Sequence, residues 1–199
     1  MKSKRFILTP FQANKGITHA VSMPQIDAYA VEYIDMFYNG VGGHHHWIDI
    51  KSAGIEVTSS EYNLCTNDSY ELIIHYHGIR DYEALFHFVT NASLKTRMAE
   101  FYQDAEQAFD NALWLPFSLM CGGIFEGLLL AKGVSNATFA NMITTARSSG
   151  DITTDEERVM NIVRSNRNLI HASRHSNSYI ARKDAMDIRT TLDKMIDNF

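Results

Sequence analysis

Arg164, Arg167, Asn168 and His171 stand close together near the end of the chain and combine three kinds of chemistry. A guanidinium is a permanent cation whose planar fork fits two phosphate oxygens at once. An imidazole titrates near neutral pH, so it can give or take a proton there. A side-chain amide both donates and accepts hydrogen bonds. In a helix, a step of ~100° per residue brings Arg164, Asn168 and His171 within roughly 60° of one another, with Arg167 beside them. Val159, Ile162, Val163, Leu169 and Ile170 then fall on the opposite side. Such a helix can bury an apolar stripe and still present two guanidiniums, an amide and an imidazole together. Cations near a helix C-terminus also complement its dipole, a role that needs no ligand. No carboxylate lies between Arg164 and His171, so metal chemistry is not expected from this group.

Other candidates stand apart in sequence. Glu126 is the one charge inside the apolar run Ala112–Ala131. A carboxylate there either points to solvent or needs a cationic partner, and Arg164 or Arg167 would supply one and so orient the site. His44, His45 and His46 follow a glycine turn, and His75 and His77 are two apart on one face of a predicted strand. If those strands pair, the imidazoles could meet around a transition metal. No Cys or carboxylate has matching spacing, however, and the expectation is neither metal nor other cofactor. Tyr29, Tyr33, Phe37 and Tyr38 are expected in the core rather than stacked on bases. Arg174 and His175 follow the motif and would extend a phosphate-binding patch or form a plain polar loop. There is no P-loop, nucleophile elbow or dinucleotide fingerprint.

The elements that must position these residues change character near residue 80. Before it, strand patterns dominate: Arg5–Thr9, His46–Lys51, Ile55–Ser59 and Tyr70–Tyr76 read as strands. Ala28–Tyr38 is ambiguous between strand and helix and ends at a turn signal, Asn39-Gly40 followed by Gly42-Gly43. Short connections favour antiparallel pairing. After residue 80, helical spacing takes over. A short helix is predicted near Asp81–Val89 and a longer one over Ser93–Phe109, with Leu94, Met98, Phe101, Tyr102, Ala105 and Phe109 on one face. An apolar helix over Ala112–Lys132 stops at Gly133, and another spans Ala137–Ser148 and ends before Gly150. Thr153 and Glu156 form a capping-box pattern that opens the motif helix, expected to run to Ala172. A last helix over Lys183–Ile196 buries Ala185, Ile188, Leu192, Met195 and Ile196. The fold class predicted is α+β: a small antiparallel sheet in residues 1–80, followed by a bundle of four to five helices in residues 81–199.

Composition narrows the function. The 199 residues suit one full domain or two small ones, and 45% hydrophobic with 21% charged is ordinary for a globular protein. A net charge of -5 argues against non-specific coating of nucleic acid, so any such contact must come from a local basic cluster. Cys65 and Cys121 form no CxxC pair, which makes a disulfide framework or thiolate zinc site unexpected and a reducing cytoplasm the simplest setting. The start MKSKRFILTPF is basic, but its apolar run is short for a signal peptide. Ala112–Ala131 approaches the length of a membrane span. Glu126, Pro116 and the glycines at 122, 123 and 127 favour a core helix instead, with no membrane partner.

The run from Ile162 to His171 resembles the signature helix of the HEPN superfamily, whose motif places an Arg about four to six residues before a His, commonly with a polar residue after the Arg. Six residues separate Arg164 from His171, although Ser165 follows it; Arg167-Asn168 has the Arg-polar pair at a shorter spacing. The motif spacing therefore favours Arg164. The resemblance extends over about Ser93–Phe199 and takes in Glu126, the Gly150–Ile152 lead-in and the closing helix, but not residues 1–80. It implies a HEPN-like bundle that acts on RNA as a metal-independent endoribonuclease of a bacterial toxin or antiviral defence system. The alternative it implies is a non-catalytic module that binds RNA, nucleotide or a protein partner. Arg164 and His171 would be catalytic, with Arg167, Asn168 and Glu126 supporting them. HEPN proteins typically dimerise, so a homodimer with both His171 side chains facing one cleft is expected, and a protein partner such as an antitoxin is in keeping with a toxin.

Overall fold

The computed structural model describes residues 1–8, 16–19, 26–38, 41–42, 46–51, 54–59, 70–135 and 138–199. The chain divides into two compact units, Met1–Asp81 and Tyr82–Phe199. The first is built of strands and the second of helices, so the class is α+β.

Two antiparallel sheets make up the first unit. In the larger one, β7 (Tyr70–Ile79) lies between β1 (Lys2–Leu8) and β3 (Tyr29–Tyr38), and the short β4 (Val41–Gly42) pairs with the far edge of β3. The ambiguous stretch Ala28–Tyr38 is therefore mostly strand. Alternation along β7 shows why it is central: Leu72, Ile74 and Tyr76 are buried, whereas Glu71, Ile73 and His75 are only partly covered. Two register irregularities, between Tyr29 and Val31 and between Val31 and Tyr33, shift β3 so that Tyr33 opposes His75. The smaller sheet has β6 (Gly54–Ser59) between β2 (Gly16–His19) and β5 (His46–Lys51). The turn signal Asn39-Gly40, Gly43, His44, His45 and Cys65 lie outside the described residues.

The helical unit begins with a 3-10 turn at Ala84–Phe86, where a short helix was expected. Five α-helices follow: α1 (Ala92–Asp110), α2 (Trp114–Ala131), α3 (Phe139–Ser149), α4 (Thr154–Asn166) and α5 (Arg182–Asp197). Their ends follow local chemistry. Asn91 and Thr138 accept hydrogen bonds from Leu94 and Asn141 and so cap α1 and α3. The Thr153–Glu156 box at α4 is formed in both directions, at 2.6 and 3.2 Å. Gly133 and Gly150, at φ +82° and +83°, occupy the left-handed conformation that ends a helix at little cost.

α2 is the hub, with α1, α3, α4 and α5 all packed on it. Cys121, Ile124, Phe125, Leu128 and Leu129 are fully buried, each large apolar side chain contributing roughly 1.5–3 kcal/mol of transfer free energy. By length and composition α2 could cross a bilayer, yet half of it is buried inside this unit. Its glycines are contact points. A Cβ at Gly122 would stand 3.1 Å from Val163 on α4, and one at Gly123 or Gly127 would meet Phe101 or Met98 on α1 at 2.6 or 2.7 Å. A second tie is polar and partly buried: Arg189 of α5 donates to Glu106 of α1 at 2.6 Å, and Tyr102 donates to Asp193 at 2.7 Å.

Candidate functional site

The motif helix is shorter than its periodicity predicts. α4 stops at Asn166, and the chain tightens into a 3-10 turn over Arg167–Ile170. His171 follows in extended backbone (φ -81°, ψ 123°), so Arg164 and His171 do not share one continuous α-helix running to Ala172. The physical reason lies in the polar run itself. Ser165 donates back to the carbonyl of Asn161 at 2.9 Å, a contact that weakens a helix interior. Asn166, a poor helix former, donates its side-chain amide to Ser118 of α2 at 3.0 Å. Ser118 is fully buried, so this bond fixes the end of α4 against α2.

The tightened turn faces an open cavity of about 570 Å³ lined by Phe101, Leu119, Gly123, Glu126, Arg167, Asn168, Ile170 and His171. The α2 contribution is one helical face, since positions 119, 123 and 126 are four and three apart. Four of the sequence candidates are thus brought together: Arg167, Asn168, His171 and Glu126. Arg164 is not: it stands exposed in the last turn of α4, one turn before Arg167, and does not line the cavity. The cation on the wall is Arg167, although motif spacing favours Arg164.

Glu126 meets Arg167, with Oε2 3.9 Å from Nη1. Both side chains are about half exposed, so the pair adds little stability. A guanidinium has five N–H donors, and one long contact leaves most of them available to a ligand. Among the described residues the imidazole of His171 makes no side-chain hydrogen bond, and its backbone N–H donates to the Asn168 carbonyl at 3.2 Å. Arg174, at the end of the 3-10 turn that follows, and His175 after it lie exposed just beyond. The 3-10 turn and the residue after it therefore bring cationic, amide and imidazole groups and the apolar Ile170 to the cavity, and α1 and α2 bring Phe101, Leu119, the bare backbone of Gly123 and the Glu126 carboxylate.

Of the histidines weighed for metal binding, His75 and His77 have other partners, and the side chains of His44, His45 and His46 lie outside the described residues. His75 Nε2 lies 2.9 Å from Asp35 and its ring stacks on Tyr33 at 4.1 Å, while His77 Nε2 lies 2.9 Å from Glu32. Among the described residues no group of three or more His, Cys, Asp or Glu is arranged to hold a metal ion. Tyr29 is buried as expected of a core aromatic, whereas Tyr33 is exposed and Phe37 partly so.

Sequence reasoning missed the apolar wall and the buried polar cluster. That cluster comprises Tyr82, Tyr102, Glu106, Arg189 and Asp193. Burial by itself would lower the pKa of Arg189, but Tyr102, Asp193 and Glu106 outweigh it and hold the guanidinium charged. Burial first, then the charges of Glu106 and Asp110, push the Tyr82 phenol up to about 12. The available signal was spacing: Glu106 lies four residues after Tyr102, and Arg189 four after Ala185, beside the stripes that face the core. Burial also pushes the Cys121 thiol well up, which leaves it a poor nucleophile. Comparison with protein-family models, with curated proteins and with solved structures gives no significant match.

Proposed function

We propose that this chain is a HEPN-like, RNA-directed protein whose helical unit acts as a metal-independent endoribonuclease. One observation carries the reading: Arg167, Asn168, His171 and Glu126 line a single open cavity. The roles follow from their chemistry. The 2′-hydroxyl of a ribose attacks the adjacent phosphorus, the bond to the 5′-oxygen breaks, and the hydroxyl proton ends on that leaving oxygen. The products are a 2′,3′-cyclic phosphate and a 5′-hydroxyl. His171 assists proton transfer, and Arg167 stabilises charge on the phosphoryl oxygens. Asn168 donates to the same group, and Glu126 aims Arg167. Arg164, one turn back, adds charge for a neighbouring phosphate. The nucleophile belongs to the substrate and the positive charge to arginine, so no metal is required by this route.

One chain brings one imidazole to the cavity, and in-line cleavage benefits from both an acid and a base. A homodimer that places two His171 side chains at one cleft supplies them. The setting in keeping with this activity is a cytoplasmic toxin or antiviral defence system, with a protein antitoxin as partner. The free imidazole of His171 favours one rival reading, a non-catalytic HEPN-like module that holds RNA, nucleotide or a protein partner without cutting.

The test is to incubate RNA with the full chain in EDTA beside His171→Ala, with light scattering on the same samples. Cleavage by the parent alone, leaving cyclic phosphate ends, in a sample of dimeric mass, is the expected result. RNA retention without cleavage selects the binding module. A chain that neither cleaves nor retains RNA overturns the proposal.

A further inference from the structure

We propose that Phe101 is a stacking platform for a nucleobase, so that the cavity takes up one nucleotide with its base on the α1–α2 side and its phosphate on the α4 side. This rests on the RNA reading above and adds a positioning group that the motif does not contain.

The cavity lining combines two kinds of group. The 3-10 turn after α4 supplies Arg167, Asn168 and His171, with Ile170 among them, while α1 and α2 supply Phe101 and Leu119, with the Glu126 carboxylate paired to Arg167. A ligand that satisfies both needs an anionic group beside a flat apolar body, as a nucleotide has. Its volume of about 570 Å³ lies inside the range of about 300–1,000 Å³ common for small-ligand sites. Ile170 is 59% exposed, an apolar side chain left open beside a cation.

Phe101 is held in advance for this role. Position 123 has no Cβ, and one built there would meet ring atoms Cε2 and Cδ2 at 2.6 and 2.7 Å. Glycine is thus what lets the ring lie against α2. Arg97 stands over the ring with its guanidinium carbon 5.8 Å from the centroid, and pairs with Glu100 on the surface at 3.2 Å. A fixed ring loses little freedom when a base stacks on it.

The experiment compares two probes on the full chain: a 2′-O-methylated oligoadenylate, which cannot be cleaved, and an abasic ribose-phosphate oligomer of equal length. The parent is expected to bind the first about tenfold more tightly, the order of magnitude for one base stacked on an aromatic side chain. Phe101→Ala should erase that preference and Phe101→Trp should keep it. Gly123→Ala, which displaces the ring without removing it, should erase it too, with circular dichroism reporting the fold of each variant. Equal affinity of the parent for both probes overturns the platform while the RNA reading stands. A preference that survives in a folded Phe101→Ala also overturns it. Binding of neither probe removes both readings together.

Discussion

Two carboxylate–guanidinium pairs, Glu126–Arg167 and Glu106–Arg189, are chemically alike and physically different. The first is half exposed with a 3.9 Å contact; the second has a 2.6 Å bond and a glutamate that is 7% exposed. Exposed pairs contribute about 0–1 kcal/mol, so Glu126→Gln should leave the urea midpoint nearly unchanged while weakening RNA binding. Breaking a buried pair leaves an uncompensated charge and costs about 3–5 kcal/mol. Arg189 is partly exposed, so Arg189→Ala belongs at the lower end of that range. Equal effects of the two substitutions on urea unfolding would contradict this division between a working pair and a structural one. Tyr82 adds a pH dependence with a definite sign. Its folded pKa is raised to about 12 from the ordinary phenol value of 10.0, so the folded state holds the phenolic proton more tightly. The stabilisation is complete below pH 10 and is lost as pH rises through about 12. Thermal melts between these limits should show Tyr82→Phe losing stability less steeply than the parent.

At the scale of elements, helix beginnings were legible in the sequence and the one helix end that matters was not. Thr153 acts on the Glu156 amide three residues on, so its effect is visible locally, and Asn91 and Thr138, which the spacing did not single out, cap α1 and α3 in the same way. The end of α4 depends on Ser118, 48 residues away, which receives the Asn166 amide. Helical periodicity alone carried the helix on to Ala172, and motif spacing pointed to Arg164. The 3-10 turn rotates the following residues, and Arg167 becomes the wall of the cavity. The glycines of α2 diluted a membrane-like run in sequence; only the packed structure shows that each admits a neighbouring helix. Asn166→Ala removes the tie between α4 and α2 and leaves a buried hydroxyl without that partner, which should cost about 1–3 kcal/mol. Chemical denaturation measures the cost. The same variant should lower RNA affinity, because the turn carrying Arg167 and His171 loses its anchor; unchanged affinity in a destabilised Asn166→Ala would detach the turn from the site.

For the whole molecule, the α+β division was legible because hydrophobic spacing changes near residue 80, beside the junction of the two units at Asp81 and Tyr82. The separation of the strands into two sheets was not, since β1 pairs with β7 across most of the first unit and no short-range signal encodes that. The Arg5–Glu71 ion pair across those strands spans 66 residues. Net charge is -5, so attraction for RNA cannot come from the molecule as a whole. On the proposed reading it comes from Arg167 at the cavity, with Arg164 and Arg174 exposed nearby in sequence, and binding should weaken with salt as few phosphate contacts require. The most direct measurement is therefore local. Imidazole resonances of the full chain are followed by NMR during titration with a 2′-O-methylated oligoribonucleotide at moderate ionic strength. The account predicts that the His171 ring and the Asn168 side-chain amide shift together and saturably, while His75 and His77, held by Asp35 and Glu32, stay in place. Unmoved His171 signals at saturating RNA would contradict it.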